Sequence, residues 1–319
     1  MGELLMKLIF SQFDPRPQGA EANDKIFASG PVLGIEVTVP ALAARCTLGN
    51  IDPQHTQGRN YAAIEDVLGV VLPPDGATLA TVRADLDSVG AMAVLAMRAE
   101  MGQEEFDSLP MEVVLRLQQV ATADKFARGG YPGPKALPTM DNPWPEESAS
   151  AESSRPLAAI AAAVVDFKVS LAERVETMKK WLLTGEETAQ YRAVVERERT
   201  DMVRALGDGT IRAKRVECAI GAVALVESTH RAATVVGYSL APVVVALNPS
   251  FKLGAGEPHR KFTICAYTAQ NADIKSALAE LAKLEPGWGG SPTIGGSPQG
   301  VSSTLTVEQV VEVVARHLK

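Results

Sequence analysis

Between residues 31 and 127, short β-branched runs alternate with longer helical ones. "PVLGIEVTVPAL" (31–42), bounded by prolines, reads as a strand. "ARCTLGNIDPQHTQG" (44–58) begins as another and breaks at Gly49-Asn50 into a polar loop. "NYAAIEDVLGVVL" (60–72) follows as a helix, "TLATVR" (78–83) as a strand, and "SVGAMAVLAMRAEM" (88–101) as an apolar helix. A further helix covers most of 110–127, and residues 1–30 form a turn-rich lead-in with one short strand or helix. Such alternation predicts an α/β domain with a largely parallel sheet, whose ligands bind at the carboxyl ends of the strands.

The pattern changes twice beyond this point. From Gly129 to Pro156 proline, glycine and serine dominate and periodicity disappears, the texture of a loop or linker. Two helical patterns follow at 157–183 and 186–206, separated by Gly185. Strands return in "IRAKRVECAIGAVALVES", "APVVVALNP" and "KFTICAYTA", interleaved with helical "HRAATVVGY" and "DIKSALAELAKL". A glycine-rich stretch, "PGWGGSPTIGGSPQG" (286–300), precedes a last helix. The expected fold class is α/β with two domains. An N-terminal, largely parallel-sheet domain (1–150) is joined by a helical connector (151–208) to a smaller C-terminal α/β domain (209–319).

Composition narrows the function. No apolar run among the 319 residues reaches the roughly 18 needed to span a bilayer, and no basic n-region or cleavage site frames the N-terminal apolar patch. No membrane partner is expected. The three cysteines, Cys46, Cys218 and Cys265, are far apart among apolar neighbours and read as free thiols of a cytoplasmic protein. A net charge of −7 argues against a broad surface for long duplex DNA but leaves room for a small anion in a local basic pocket. A Walker A loop, a dinucleotide fingerprint, paired zinc cysteines and a nucleophile elbow are all missing.

Candidate chemistry gathers where strands are expected to end. In "RADLDSVGAMAVL" a strand delivers Asp85 and Asp87 into a helix begun by Ser88, Gly90 and Ala91. Alternate residues at a strand end can share a side, and hard carboxylate oxygens suit Mn²⁺ or Mg²⁺. The bland alternative is that one aspartate caps the helix and the other is solvated. "GNIDPQHTQG" offers Asp52 and His55 as ligands, with His55 also able to orient or protonate a leaving group; Asp52-Pro53 is equally a turn opener. Asp124 in "ATADKFARGGYPG" reads by itself as an exposed helix-end acid beside Lys125. His230 reads as a cap or core residue, and His317 is assigned nothing.

"RADLDSVGAMAVL" resembles the first motif of the DHH/DHHA1 superfamily of phosphoesterases, and "GNIDPQHTQG" looks like that family's Asp-His-His signature with altered spacing. In the family the Asp-x-Asp motif comes first; here Asp52 and His55 precede it, and Thr81 stands where an upstream histidine is expected. "HRKFTICA" (259–266) followed by the glycine-rich stretch is similar to the accompanying DHHA1 domain. The resemblance implies a DHH-like N-terminal domain holding one or two Mn²⁺ (or Mg²⁺) ions through Asp52, His55, Asp85, Asp87 and Asp124, with His55, Asp85 and Asp87 catalytic. It also implies a C-terminal domain that grips substrate through His259, Arg260 and the glycines Gly289, Gly290, Gly295 and Gly296. The expected reaction is hydrolysis of a phosphodiester or phosphomonoester in a small nucleotide or short oligonucleotide. A non-catalytic nucleotide-binding protein on the same scaffold and an aminoacyl-ester hydrolase are the rivals. The long central helices offer a homodimer interface or pack within one chain.

Overall fold

The computed structural model describes residues 6–53, 61–125, 136–143, 154–186, 189–252, 257–298 and 300–319. The chain divides into two compact units. The first comprises Met1–Lys125 and Glu152–Val195, the second Phe126–Ala151 and Glu196–Lys319. Residues 152–195, which the sequence pattern assigns to a connector, therefore cluster with the first unit.

The first unit runs through β1 (Ile9–Gln12), α1 (Ala20–Ala28), β2 (Val32–Ile35), α2 (Pro40–Ala43), β3 (Asn50–Ile51), α3 (Ala63–Asp66), β4 (Thr78–Thr81), α4 (Leu86–Asp107), α5 (Met111–Lys125), α6 (Ser154–Val164) and α7 (Leu171–Thr184). Its four strands are ordered β1-β4-β2-β3, and every pairing is parallel. All four carboxyl ends consequently lie on one edge. Side chains alternate across the sheet. On one face Val32 and Ala80 pack with Phe13, Val37, Leu42 and Cys46, against which Ile26 and Phe27 of α1 are laid. Leu33 and Leu79, paired in register, point to the opposite face and are buried. The sheet is thus buried on both faces, as parallel sheets generally require. The expected strand over 31–42 ends at Ile35, because Glu36 adopts a left-handed conformation (φ 51°) and Pro40 then opens α2.

The second unit carries the C-terminal part of α8 (Ala189–Gly207), then β5 (Ile211–Glu217), β6 (Ala222–Ser228), α9 (Ala233–Tyr238), β7 (Val243–Phe251), β8 (His259–Ala266), α10 (Ile274–Leu284), β9 (Gly289–Gly290), β10 (Ile294–Gly296) and α11 (Val307–Arg316). Its sheet is mixed, ordered β5-β6-β7-β8-β10-β9, with β6 and β7 parallel and the other pairs antiparallel. Alternation again builds two cores. Val223, Val243, Val245, Phe262 and Ile264 meet α10 and α11, while Ala224, Val226, Val244, Ala246 and Cys265 meet α9 and Met202 and Ala205 of α8. The protein is therefore α/β throughout, with one parallel-sheet and one mixed-sheet unit. Among the described residues no helix is long and apolar enough to cross a membrane.

Candidate metal centre

The carboxyl edge of the first sheet gathers acidic residues. Glu36 directly follows β2 and Asp52 directly follows β3, while Asp85 and Asp87 sit where the chain leaving β4 enters α4. Asp124 lies in the last turn of α5. One carboxylate oxygen from each of Glu36, Asp87 and Asp124 comes within 4.8 Å of the other two. Asp87 is fully buried and the other two are half-buried.

Local structure explains how each is placed. Asp85 caps α4: its Oδ1 accepts from the Ser88 amide (3.1 Å) and hydroxyl (2.9 Å), while the Asp85 amide donates to Ser88 Oγ (3.0 Å). The two aspartates are thus on a helix entry rather than side by side on a strand, and Asp85 takes the capping role. Asp87, one turn-position further, projects toward α3. Its Oδ2 accepts from the Ala63 amide (2.5 Å) and its Oδ1 from the Ile64 amide (2.9 Å). The other aspartate is therefore buried, not solvated.

The electrostatics are hostile to three ionised carboxylates. Burial, followed by the charges of Asp87, Asp85, Asp124 and Asp52, pushes Glu36 up to about 10. Burial likewise drives Asp87 well above the carboxylate range, with Asp124 adding to it and the two α3 amides pulling the other way. The strongest charge effects on Glu36 all come from acids. A divalent cation would reverse this balance. Among the described residues the donor set is three carboxylates, which fits a hard ion such as Mn²⁺ or Mg²⁺.

Of the residues singled out in the sequence, Asp87 and Asp124 meet in this cluster. Asp52 is buried at the same sheet edge. His55 lies outside the described residues, and Thr81 donates through Oγ1 to the Arg83 carbonyl (3.1 Å). Glu36 is the member that motif reading missed. Its only sequence signal is a lone acid inside the apolar run "GIEVTV".

In the second unit the nominated residues divide. Arg260 Nη1 donates to the carbonyls of Ser303 (2.9 Å) and Leu305, and its guanidinium lies 4.6 Å from the Phe262 ring centroid. His259 is buried: its Nε2 accepts from the Gly300 amide (3.2 Å), and its Nδ1 lies 3.2 Å from the Glu257 carbonyl. Both tie down the C-terminal loop. Gly289, Gly295 and Gly296 instead line an open depression of about 460 Å³ together with Lys261, Thr263 and Ser297. Packing also demands glycine at 290, 295 and 296, whereas a Cβ on Gly289 would meet open space. A Cβ on Gly290 would lie 2.3 Å from the Gly295 Cα, and one on Gly295 would lie 2.4 Å from Leu278. Lys261 was not anticipated; it is 8% exposed, its Nζ donates to the Ser297 carbonyl, and burial lowers its pKa.

His230 caps a turn, its Nδ1 accepting from the Ala232 amide (3.1 Å), and His317 pairs with Glu280 (2.9 Å). Cys46 and Cys265 are buried free thiols, and Cys218 is half-buried and free. No protein-family model matches this chain, and no curated protein matches it in sequence.

Proposed function

We propose that this protein is a divalent-metal-dependent phosphoesterase acting on a small nucleotide or short oligonucleotide. The observation that carries the reading is the convergence of Glu36, Asp87 and Asp124 within 4.8 Å at the carboxyl edge of a parallel sheet, where α/β proteins place their ligands. The resemblance of "RADLDSVGAMAVL" to a metal-binding phosphoesterase motif supplies the reaction class. Glu36, Asp87 and Asp124 would hold one Mn²⁺ or Mg²⁺ ion, with Asp52 at the same edge. A bound ion supplies Lewis acidity, acidifying water and stabilising charge on phosphoryl oxygens. The two α3 amides fix the Asp87 carboxylate, and the Ser88 cap fixes the start of the helix that carries it. In the second unit Lys261 offers an ammonium to the anionic part of a substrate, beside the backbone of the glycine strands.

A second reading, ligand binding without turnover, is favoured by one observation: Asp85, expected among the catalytic acids, is engaged as a helix cap. The deciding experiment is calorimetric titration of metal-stripped protein with Mn²⁺, beside Glu36→Gln and Asp124→Asn, followed by a phosphodiester and phosphomonoester hydrolysis screen. We expect binding to the wild type and about tenfold or greater loss in each variant. Folded wild type that binds no Mn²⁺ sinks the reading. Binding without hydrolysis of any phosphoester selects the non-catalytic alternative.

A further inference from the structure

Glu36 is the only non-glycine residue with positive φ among the described residues, at 51°. Such a backbone persists when its surroundings over-determine it. Here the surroundings are specific. The Glu36 amide donates to the Ile51 carbonyl (2.8 Å), continuing the β2–β3 ladder one step past β2. At Val37 the ladder gives way to a side chain: the Val37 amide donates to Asn50 Oδ1 (3.1 Å), and Asn50 Nδ2 donates back to the Val37 carbonyl (3.1 Å). One carboxamide therefore satisfies both backbone groups of the residue after Glu36. Val37 is itself anchored, 1% exposed in the core under the sheet.

Asn50 reaches Val37 by lying over Gly34, its register partner on β2. A Cβ on Gly34 would stand 2.6 Å from Asn50 Oδ1, so any side chain there would evict the carboxamide from this position. Gly34, Asn50 and Val37 thus form one device, and its product is the turn that points Glu36 at Asp87 and Asp124.

We propose that Asn50 is a positioning residue for the metal centre: by pairing with Val37 it holds Glu36 in the left-handed conformation that makes its carboxylate a ligand. This rests on the metal-site reading above. Without the pairing, Glu36 relaxes toward the extended conformation open to any residue, and its carboxylate swings away from the other two.

The test uses the full chain as wild type, Asn50→Ala, Glu36→Gln and the double variant, each titrated with Mn²⁺. In parallel, the one-bond Cα–Hα NMR coupling of Glu36 distinguishes positive from negative φ. We expect Asn50→Ala to weaken Mn²⁺ binding by about tenfold or more and to convert Glu36 to negative φ. Added to Glu36→Gln, the same substitution should cost less than about twofold, because the ligand it positions is already gone. A merely structural asparagine would weaken both backgrounds equally, and that result overturns the proposal, as does wild-type affinity or an unchanged φ in Asn50→Ala. If Asn50→Ala does not fold, Gly34→Ala, which displaces the carboxamide without removing it, is judged by the same criteria. Wild type that binds no Mn²⁺ is a separate failure, visible before any substitution. It removes the centre itself and with it the role given to Asn50.

Discussion

At Glu36 two unfavourable conditions coincide, a left-handed backbone and a carboxyl group raised to about 10 by burial and by neighbouring acids. An unfolded glutamate titrates near ~4.3, so between that value and about 10 the native state holds a proton that the unfolded state releases. The stabilisation is complete below the lower value and is lost as pH rises through the window. Asp87, raised for the same reasons, acts in the same direction. Metal-free protein should therefore show a falling urea midpoint between about pH 5 and about pH 9, and a smaller fall in Glu36→Gln. Saturating Mn²⁺ should oppose the trend, because the ion displaces the protons. An equal slope in wild type and Glu36→Gln would locate the titration elsewhere. Part of this centre was legible beforehand. Asp87 and Asp124 stand out because acids interrupt or end apolar helical patterns. Glu36 did not, since nothing in "GIEVTV" announces a backbone that turns back on itself. Its partner signal, an asparagine opposite a glycine on the neighbouring strand, exists only once the register is known.

Elements bring these residues together through close approaches. α4 is buried along most of its length, and Gly90 lets it meet two neighbours: a Cβ there would lie 2.8 Å from Ile64 of α3 and 3.2 Å from Val120 of α5. Because α4 carries Asp87, α3 its amide partners and α5 Asp124, this one contact sets the spacing of the cluster. Gly90→Val should destabilise the protein by about 1–3 kcal/mol in urea unfolding through overpacking; a change within about 0.5 kcal/mol would mean that the helices yield freely. The buried helix was readable from its unbroken apolar character, and the alternation of strands and helices from its period. Boundaries were not. The pattern over 157–183 reads as one helix, yet α6 ends at Val164 and α7 begins after Ser170. The break is written in "SLAE": the Ser170 amide donates to Glu173 Oε2 (3.1 Å) and the Glu173 amide to Ser170 Oγ (3.3 Å). Apolar periodicity on both sides masked it.

For the whole molecule, the proposed function gives the cation to carboxylates of the first unit and the anionic ligand to Lys261 of the second. Lys261→Met should weaken binding of a nucleoside monophosphate by about tenfold or more in calorimetry, the loss expected for one charge-assisted contact, and leave Mn²⁺ affinity unchanged. Equal nucleotide affinity in the variant would release the depression beside β10 from that role. The presence of two α/β units was legible from the two stretches in which strands and helices alternate, 31–127 and 209–319. The membership of each was not, because a chain that leaves one unit and returns to it leaves no local signature; residues 152–195 belong with the first. Glu36 also bears on how this protein would respond to redesign. A procedure rewarding stability alone would place glycine at 36, where the backbone asks for it, and the replacement would raise the melting temperature of the metal-free chain. The position most readily improved by such a procedure is one at which the proposed function would vanish, so a stabilising substitution there would mark the site.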